Sequence, residues 1–313
     1  MSENNTSVHH SSVYHIPVLF YETMDALSIK ADGVYVDCTF GGGSHSRGIL
    51  DKLGPSGKLI AFDQDDEAKS NLPNDKRVVF VGNNFRYLQR FLRLQGYPMV
   101  DGVLADLGVS SHQFDQGERG FSTRFDGPLD MRMDQRQEGN ASGILKKFTE
   151  QQLHKLFEQY GEVSNSKTLA KHIVQHRSNT PLQTIAQLKA MISPVVMGNP
   201  NKYLAQVFQA LRIEVNDEMG ALKELLTQIP MVLKPGGRAA IITFHSLEDR
   251  LVKNFFRSGS FEEIESNPLL QEEDKNEMKI ITKKPIVAGT DETRKNPRSR
   301  SAKLRIAEKK MKN

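Results

Sequence analysis

The chain of 313 residues has a single cysteine, Cys38, and no apolar run near the roughly 18 residues that a membrane-spanning helix requires. One thiol excludes an internal disulfide and fits a reducing compartment, so a cytoplasmic protein is expected. No secretory signal is visible: MSENNTSVHHSSVYH is polar and histidine-dotted, and residues 1–14 read as a disordered tail. His9 and His10 lie in that tail, no Cys/His cluster has metal-ligand spacing, and no metal is expected. Internal repeats are absent as well. What is present, 38% hydrophobic and 26% charged residues, suits a soluble globular chain of one large core or two domains.

Charge is unevenly spread. The last twenty residues, RKNPRSRSAKLRIAEKKMKN, carry nine Lys or Arg against one Glu, so they contribute +8 to a total of +4. A basic end on a mildly acidic body suggests contact with a polyanion, the alternative being a solvated, frayed terminus. The apolar interruption LRIA argues against fraying, because it could pack or form a strand.

From residue 34 the pattern is strand, loop, helix, repeated. VYVD (34–37), KLIAFD (58–63), RVVFVG (77–82) and VDGVLAD (100–106) are short and nearly continuously apolar. Between them, helical signals run from Ser44 to Leu53, over DDEAKSNL and over FRYLQRFLRLQG. Such alternation implies a parallel sheet covered on both faces. From 118 to 216 no strand is expected; helices start at the capping boxes Thr149–Gln152 and Thr180–Gln183, the second with Pro181 at its first position. The α/β rhythm returns with a KPGG turn, RAAIITF (238–244) as a strand and SLEDRLVKNFF as a helix. FEEIES and MKIITKKP read as a terminal strand pair. The expected division is a discontinuous α/β domain, 15–117 and 217–313, interrupted by an inserted helical domain, 118–216.

The cofactor loop is VDCTFGGGSHSRGIL, residues 36–50. Asp37, Gly41 and Gly43 form D-x-x-x-G-x-G at the end of the first strand, where glycines let backbone approach a ligand. A dinucleotide fingerprint needs a third glycine where Ser46 stands, which counts against a nicotinamide-dependent oxidoreductase. An acid before the glycines suits a ligand with a positive amino group, as in S-adenosylmethionine. Asp63, 22 residues after Gly41, can accept both ribose hydroxyls or cap the segment that follows. Cys38 lies inside this loop and reads as a small core residue, which makes a cysteine-dependent methylation at pyrimidine C5 an unsuitable chemistry.

At DLGVSSHQFD (106–115) the sequence becomes distinctive. With HIPVL, DCTFGGGSHS, ERGF, DGPLDMRMD, FQALRIEVN, FHSLEDR and NPRSRSAKLR, it resembles the MraW (RsmH) family of bacterial small-subunit (16S) ribosomal RNA (cytosine-N4)-methyltransferases. These motifs span Val18 to Arg305. The resemblance implies a Rossmann-like S-adenosylmethionine-dependent methyltransferase domain with an inserted helical domain, acting on the exocyclic N4 of a decoding-centre cytidine within the small ribosomal subunit. It implies cofactor contacts at Gly43, Ser44, His45, Asp63, Phe85, Asp106 and Gln113. Two positions depart from the family pattern: Ser44 replaces a frequent glycine and could cap the following helix, and His112 replaces a proline.

Several roles stay divided on sequence grounds. Asp106 is a cofactor ligand by resemblance and an acceptor for the target amine by chemistry. His245 faces the same sheet edge and could approach the base, or Ser246 and Asp249 could simply cap a helix. Arg119, Arg132 and Arg212 could meet phosphates or form surface salt bridges. Arg298, Arg300, Lys303 and Arg305 are the stronger RNA candidates, because charge clustering and resemblance agree. A non-catalytic ribosome-binding factor of the same fold is the remaining alternative.

Overall fold

The structure, a computed structural model, describes residues 17–262 and 276–311; the expected tail at 1–14 lies outside them. Among the described residues eight strands form one sheet: β1 (Val34–Asp37), β2 (Lys58–Phe62), β3 (Val78–Val81), β4 (Val100–Asp106), β5 (Leu233–Thr243), β6 (Met278–Ile280), β7 (Ile286–Val287) and β8 (Lys303–Lys309). Their order is β3-β2-β1-β4-β5-β8-β6, with β7 pairing β8 off that path. β1 to β5 are mutually parallel, while β8 runs antiparallel to β5, β6 and β7. This is the expected Rossmann-like α/β sheet, and its strand order reverses at β1, which lies between β2 and β4.

Alternation along each strand explains the layers. Val36, Ile60, Val103 and Ile241 point to one face with Leu88, Leu92, Leu225, Ile229 and Phe255. Tyr35, Leu59, Leu104 and Ile242 point to the other with Met24, Ile49 and Leu50. The first face is covered by α3 (Leu88–Leu94), α10 (Glu218–Val232) and α11 (Ser246–Ser258), the second by α1 (Phe20–Ala26) and α2 (Ser44–Lys52). Strands buried on both sides have no polar face to show, hence their continuous apolar sequences.

Between β4 and β5 lie α4 (Ser111–Asp115), α5 (Ala141–Lys147), α6 (Glu150–Gln159), α7 (Ser166–His176), α8 (Ile185–Ile192) and α9 (Pro200–Asn216). They share a separate apolar cluster whose buried members run from Phe121 to Leu211, with Leu153, Phe157, Leu169, Ile173 and Val207 fully inaccessible. The last helix, α12 (Thr290–Lys295), precedes the 3-10 turn Pro297–Ser301 and β8. No described helix is long and apolar enough to cross a membrane.

The Thr149–Gln152 capping box is present at the start of α6. The second is displaced: the box is Thr184–Gln187 and α8 begins at Ile185. TPLQTIAQ contains two T-x-x-Q registers, and Gln183 is taken by extended pairing, its carbonyl accepting from Leu129 N–H. DDEAKSNL forms a 3-10 turn, Asp66–Asn71, rather than an α-helix. KPGG is not a free turn but part of β5, at a register shift between Val100 and Gly102. MKI forms β6 yet pairs with β8, not with FEEIES, whose residues from 263 onward lie outside the described residues. The basic C-terminal run is therefore no loose end, since its LRIA segment is inside the sheet.

Candidate active site

The carboxyl ends of β1, β2 and β4 open into a cleft of ≈ 670 Å³ between the sheet and the helices that follow β4. Gly41, Ser44, His45, Asp63, Phe85, Asp106 and Gln113, all singled out by sequence, line it. Asp37 and Gly43 are built into the structure behind it. Asp37 is buried, its Oδ1 accepting from Thr39 N–H (3.1 Å) and its Oδ2 from the Ser46 hydroxyl (2.7 Å). Burial raises its pKa, with the Ser46 and Thr39 bonds opposing. The serine at the missing third glycine is thus the strut that ties the loop to β1.

Gly43 enters α2 at φ 72°, and it rather than Ser44 is the cap, with no side-chain bond closing the helix end. A Cβ on Gly43 would stand 2.8 Å from the Phe40 ring, so size and backbone both require glycine. Asp63 accepts from Gly41 N–H at 2.7 Å and Asp65 N–H at 2.9 Å. Burial nevertheless lifts its pKa to about 6, and both oxygens keep lone pairs for hydroxyl donors.

The His45 Nε2 lies 3.1 Å from the Val18 carbonyl, and since a carbonyl only accepts, Nε2 carries the hydrogen. Burial depresses the ring's pKa to about 4, leaving Nδ1 an acceptor 3.6 Å from Asp106 Oδ2. Asp106 is pushed well above the usual carboxyl range, first by burial, then by Asp37 and Glu248. Its Oδ1 is buried and has no hydrogen-bond partner among the described residues. Its own N–H donates to the Thr39 hydroxyl at 2.7 Å, fixing the end of β4 against the loop.

A network missed by sequence surrounds Asp65, which accepts from Gln113 Nε2 (2.6 Å) and from Arg119 Nη2 (2.9 Å). Gln113 also closes the capping box of α4 with Ser110. Arg119 is buried, also pairs with Glu67, and donates to the carbonyls of Arg132 and Met133, so it braces the cleft wall. The run DQDD was the available signal, but which acid faces which arginine is a tertiary fact. His112, the family departure, is exposed and lies 3.0 Å from Glu67 Oε2.

The other basic candidates divide similarly. Arg132 grips Asp130 through two N–H bonds and donates to the carbonyls of Gln135 and Gln137, within its own loop. Arg212 lines the cleft and forms a two-bond pair with Glu218. Arg298 lines the cleft and Arg300 is exposed. Lys303 pairs with Asp249, and Arg305 is buried against the same carboxylate at 2.6 and 3.1 Å. Arg305 therefore faces α11 rather than an outside polyanion.

His245 does not line the cleft. It caps α11 itself, Nδ1 accepting from Glu248 N–H at 3.4 Å while Glu248 Oε2 accepts from Phe244 N–H at 2.8 Å. The expected Ser246–Asp249 cap is thus displaced by one residue, because Asp249 is committed to Arg305. Glu218, His245 and Glu248 bring one possible ligand atom each within 4.8 Å of one another, but both Glu218 oxygens already accept from the Arg212 guanidinium.

The cleft suits an adenosyl cofactor: a carboxylate at β2 with lone pairs open to hydroxyl donors, a helix start behind glycines, and at β4 a buried acid oxygen without a hydrogen-bond partner among the described residues. Similar proteins bear methyltransferase names. Proteins from Christiangramia forsetii and Flavobacterium johnsoniae, both named ribosomal RNA small subunit methyltransferase H, are 50% and 52% identical over 300 residues, covering 95% of this chain and 98% of each relative. A looser similarity in shape is to a putative rRNA-methylase from Clostridium thermocellum, 12% identical with a TM-score of 0.42, covering 94% of this chain and 98% of that one. The description MraW methylase family matches residues 12–310, and the chain belongs to that family, with S-adenosylmethionine as its cofactor.

Proposed function

We propose that this chain methylates small-subunit ribosomal RNA, and that its target is the exocyclic N4 of a decoding-centre (P-site) cytidine in 16S ribosomal RNA. The observation that carries the reading is Asp106 Oδ1, a buried acceptor without a hydrogen-bond partner among the described residues, at the cleft end of β4. The names and the identity of the relatives support the RNA substrate, and ribosome assembly makes the cytoplasm the place of action.

Bound S-adenosylmethionine supplies an electrophilic methyl on sulfur. Asp63 would hold the ribose, and the loop from Gly41 to His45 the methionine end. Cytosine N4 is a poor nucleophile because its lone pair is delocalised into the ring. Asp106 Oδ1 accepts one N4 hydrogen, turning the lone pair toward the methyl, and fixed geometry of this kind supplies much of a rate enhancement. The proton that the amine sheds passes to Asp106 in its ionised form. The Thr39 hydroxyl, accepting from the Asp106 backbone N–H, fixes the end of β4 that carries this carboxyl, and the His45 ring lies behind it with Nδ1 3.6 Å from Oδ2. The helical section, 118–216, forms the opposite wall, where Arg212 and Asn216 face the cleft, and is assigned to RNA recognition.

The test incubates the protein and S-adenosylmethionine with small subunits from cells lacking this activity, then digests the RNA and seeks N4-methylated cytidine by mass spectrometry. Its appearance is expected, with Asp106→Asn binding the cofactor within a few-fold yet losing about 10²–10⁴ in kcat. Full turnover by Asp106→Asn would remove Asp106 from this role. Cofactor binding without any methylated cytidine would refute the substrate.

A further inference from the structure

Three segments distant in sequence meet at the rim of the cleft. α4 ends in Phe114 and Asp115, the loop after Gly120 brings Arg124, and the 3-10 turn before β8 brings Arg298. Asp115 Oδ1 accepts from Nη2 of Arg124 and Nη2 of Arg298, each at 2.7 Å. The two guanidinium carbons lie 5.3 and 4.8 Å from the centroid of the Phe114 ring, and that of Arg124 is also 5.4 Å from the ring of Phe125. Cation–ring attraction keeps both guanidinium planes on the aromatic faces.

The cluster is built but not neutral: two cations share one carboxylate oxygen, which leaves a positive charge at the rim. It is also open, with Arg124 and Asp115 each 55% exposed, Arg298 36% and Phe125 42%. Exposed pairs of this kind add little to stability, so holding the fold together is a weak reason for three segments to converge here. A guanidinium has five N–H donors in a fork that matches phosphate, and only a fraction of those ten are used by Asp115 and Ser122. Asp115 marks where an oxyanion sits between the two forks. Arg298 and Phe114 also line the cleft itself, so a nucleotide inserted there would leave its neighbour's phosphate at this rim.

We propose that Arg124 and Arg298, stacked on Phe114, clamp a backbone phosphate of the RNA strand beside the target nucleotide, and that the exposed Phe125 ring stacks on a flanking base. Basic forks interleaved with aromatic rings are the general solution for single-stranded nucleic acid. The inference rests on the RNA substrate proposed above, and it enlists Arg124, Phe114 and Phe125, which no charge run in the sequence marks.

The test uses the full chain with Arg124→Gln, Arg298→Gln, the double variant and Asp115→Asn. Binding of a labelled single-stranded, cytidine-containing RNA oligonucleotide is followed by fluorescence anisotropy across a salt series, and S-adenosylmethionine binding by calorimetry. Each arginine variant is expected to weaken RNA binding about fivefold to tenfold and to flatten the plot of log affinity against log salt by about 0.7. Cofactor affinity should hold, and KM for small subunits should rise while kcat stays within twofold. Asp115→Asn removes the competing anion and should tighten RNA binding, a change of opposite sign that a purely structural cluster would not give. An unchanged salt slope in the double variant, or weaker RNA binding by Asp115→Asn, would overturn the clamp. If the salt slopes move as stated while wild type leaves cytidine unmethylated, the clamp stands and the assigned reaction fails.

Discussion

Asp63 gives the sharpest quantitative test, because its pKa and its assigned partner pull in opposite directions. Burial, the largest cause, raises the carboxyl from 3.8 to about 6, against the bonds from Asp65 and Gly41. Ribose hydroxyls donate to the ionised form, so cofactor binding selects that form and lowers the pKa. With a value near 6, the ionised fraction is about nine-tenths at pH 7 and about one-tenth at pH 5, so affinity should fall about tenfold across that interval, roughly 1.4 kcal/mol. In the free protein the sign is the reverse. A carboxyl whose folded pKa lies above its unfolded one destabilises the fold when ionised. That cost is absent below about pH 3.8 and complete above about pH 6, at most about 3 kcal/mol. Calorimetry of S-adenosylmethionine binding from pH 5 to 8, in two buffers of different ionisation enthalpy, measures both the affinity and the protons released near pH 6. Asp63→Asn removes the titration and should bind more weakly with a flatter profile. If wild type and Asp63→Asn show the same slope, Asp63 is not the ribose acceptor, and the titrating group is elsewhere in the cleft, with Asp106 the first to examine.

Gly43→Ala combines a left-handed φ of 72° with a 2.8 Å approach to Phe40; it should cost about 1–2 kcal/mol and weaken cofactor binding, as thermal melting and calorimetry would register. Arg305→Ala leaves Asp249 with Lys303 as its remaining cation and removes two charge-assisted hydrogen bonds, so it should destabilise by about 1–3 kcal/mol in urea titration, without altering the salt dependence of RNA binding. Phe157→Ala, in the separate helical cluster, should cost about 3–5 kcal/mol and leave the sheet residues' hydrogen exchange nearly unchanged if that cluster unfolds on its own.

What the sequence revealed and what it hid differ by the range of the interactions involved. The parallel strands and the glycine loop were legible because their signals are local: apolar runs of four to seven residues, then glycines at the strand end. Thr180 against Thr184 shows where local signals stop, since two identical capping patterns overlap and only the pairing of Gln183 with Leu129 decides between them. The C-terminal run fails in a more instructive way. By composition, nine cations in twenty residues read as a polyanion contact. By period, KLRIAEK alternates: Leu304 and Ile306 face one side of the sheet, Ala307 the other, and β8 lies between β5 and β6. Removing that segment would take a strand out of the sheet, so loss of RNA binding would report unfolding. Arg305 can occupy an inward position only because Asp249, 56 residues earlier in the chain, supplies the charge it needs. That pairing is long-range, and no inspection of the basic run by itself contains it. Of the described cations in that run, Arg300 stays exposed beside β8, and Arg298 shares the Asp115 carboxylate with Arg124 in the clamp proposed above.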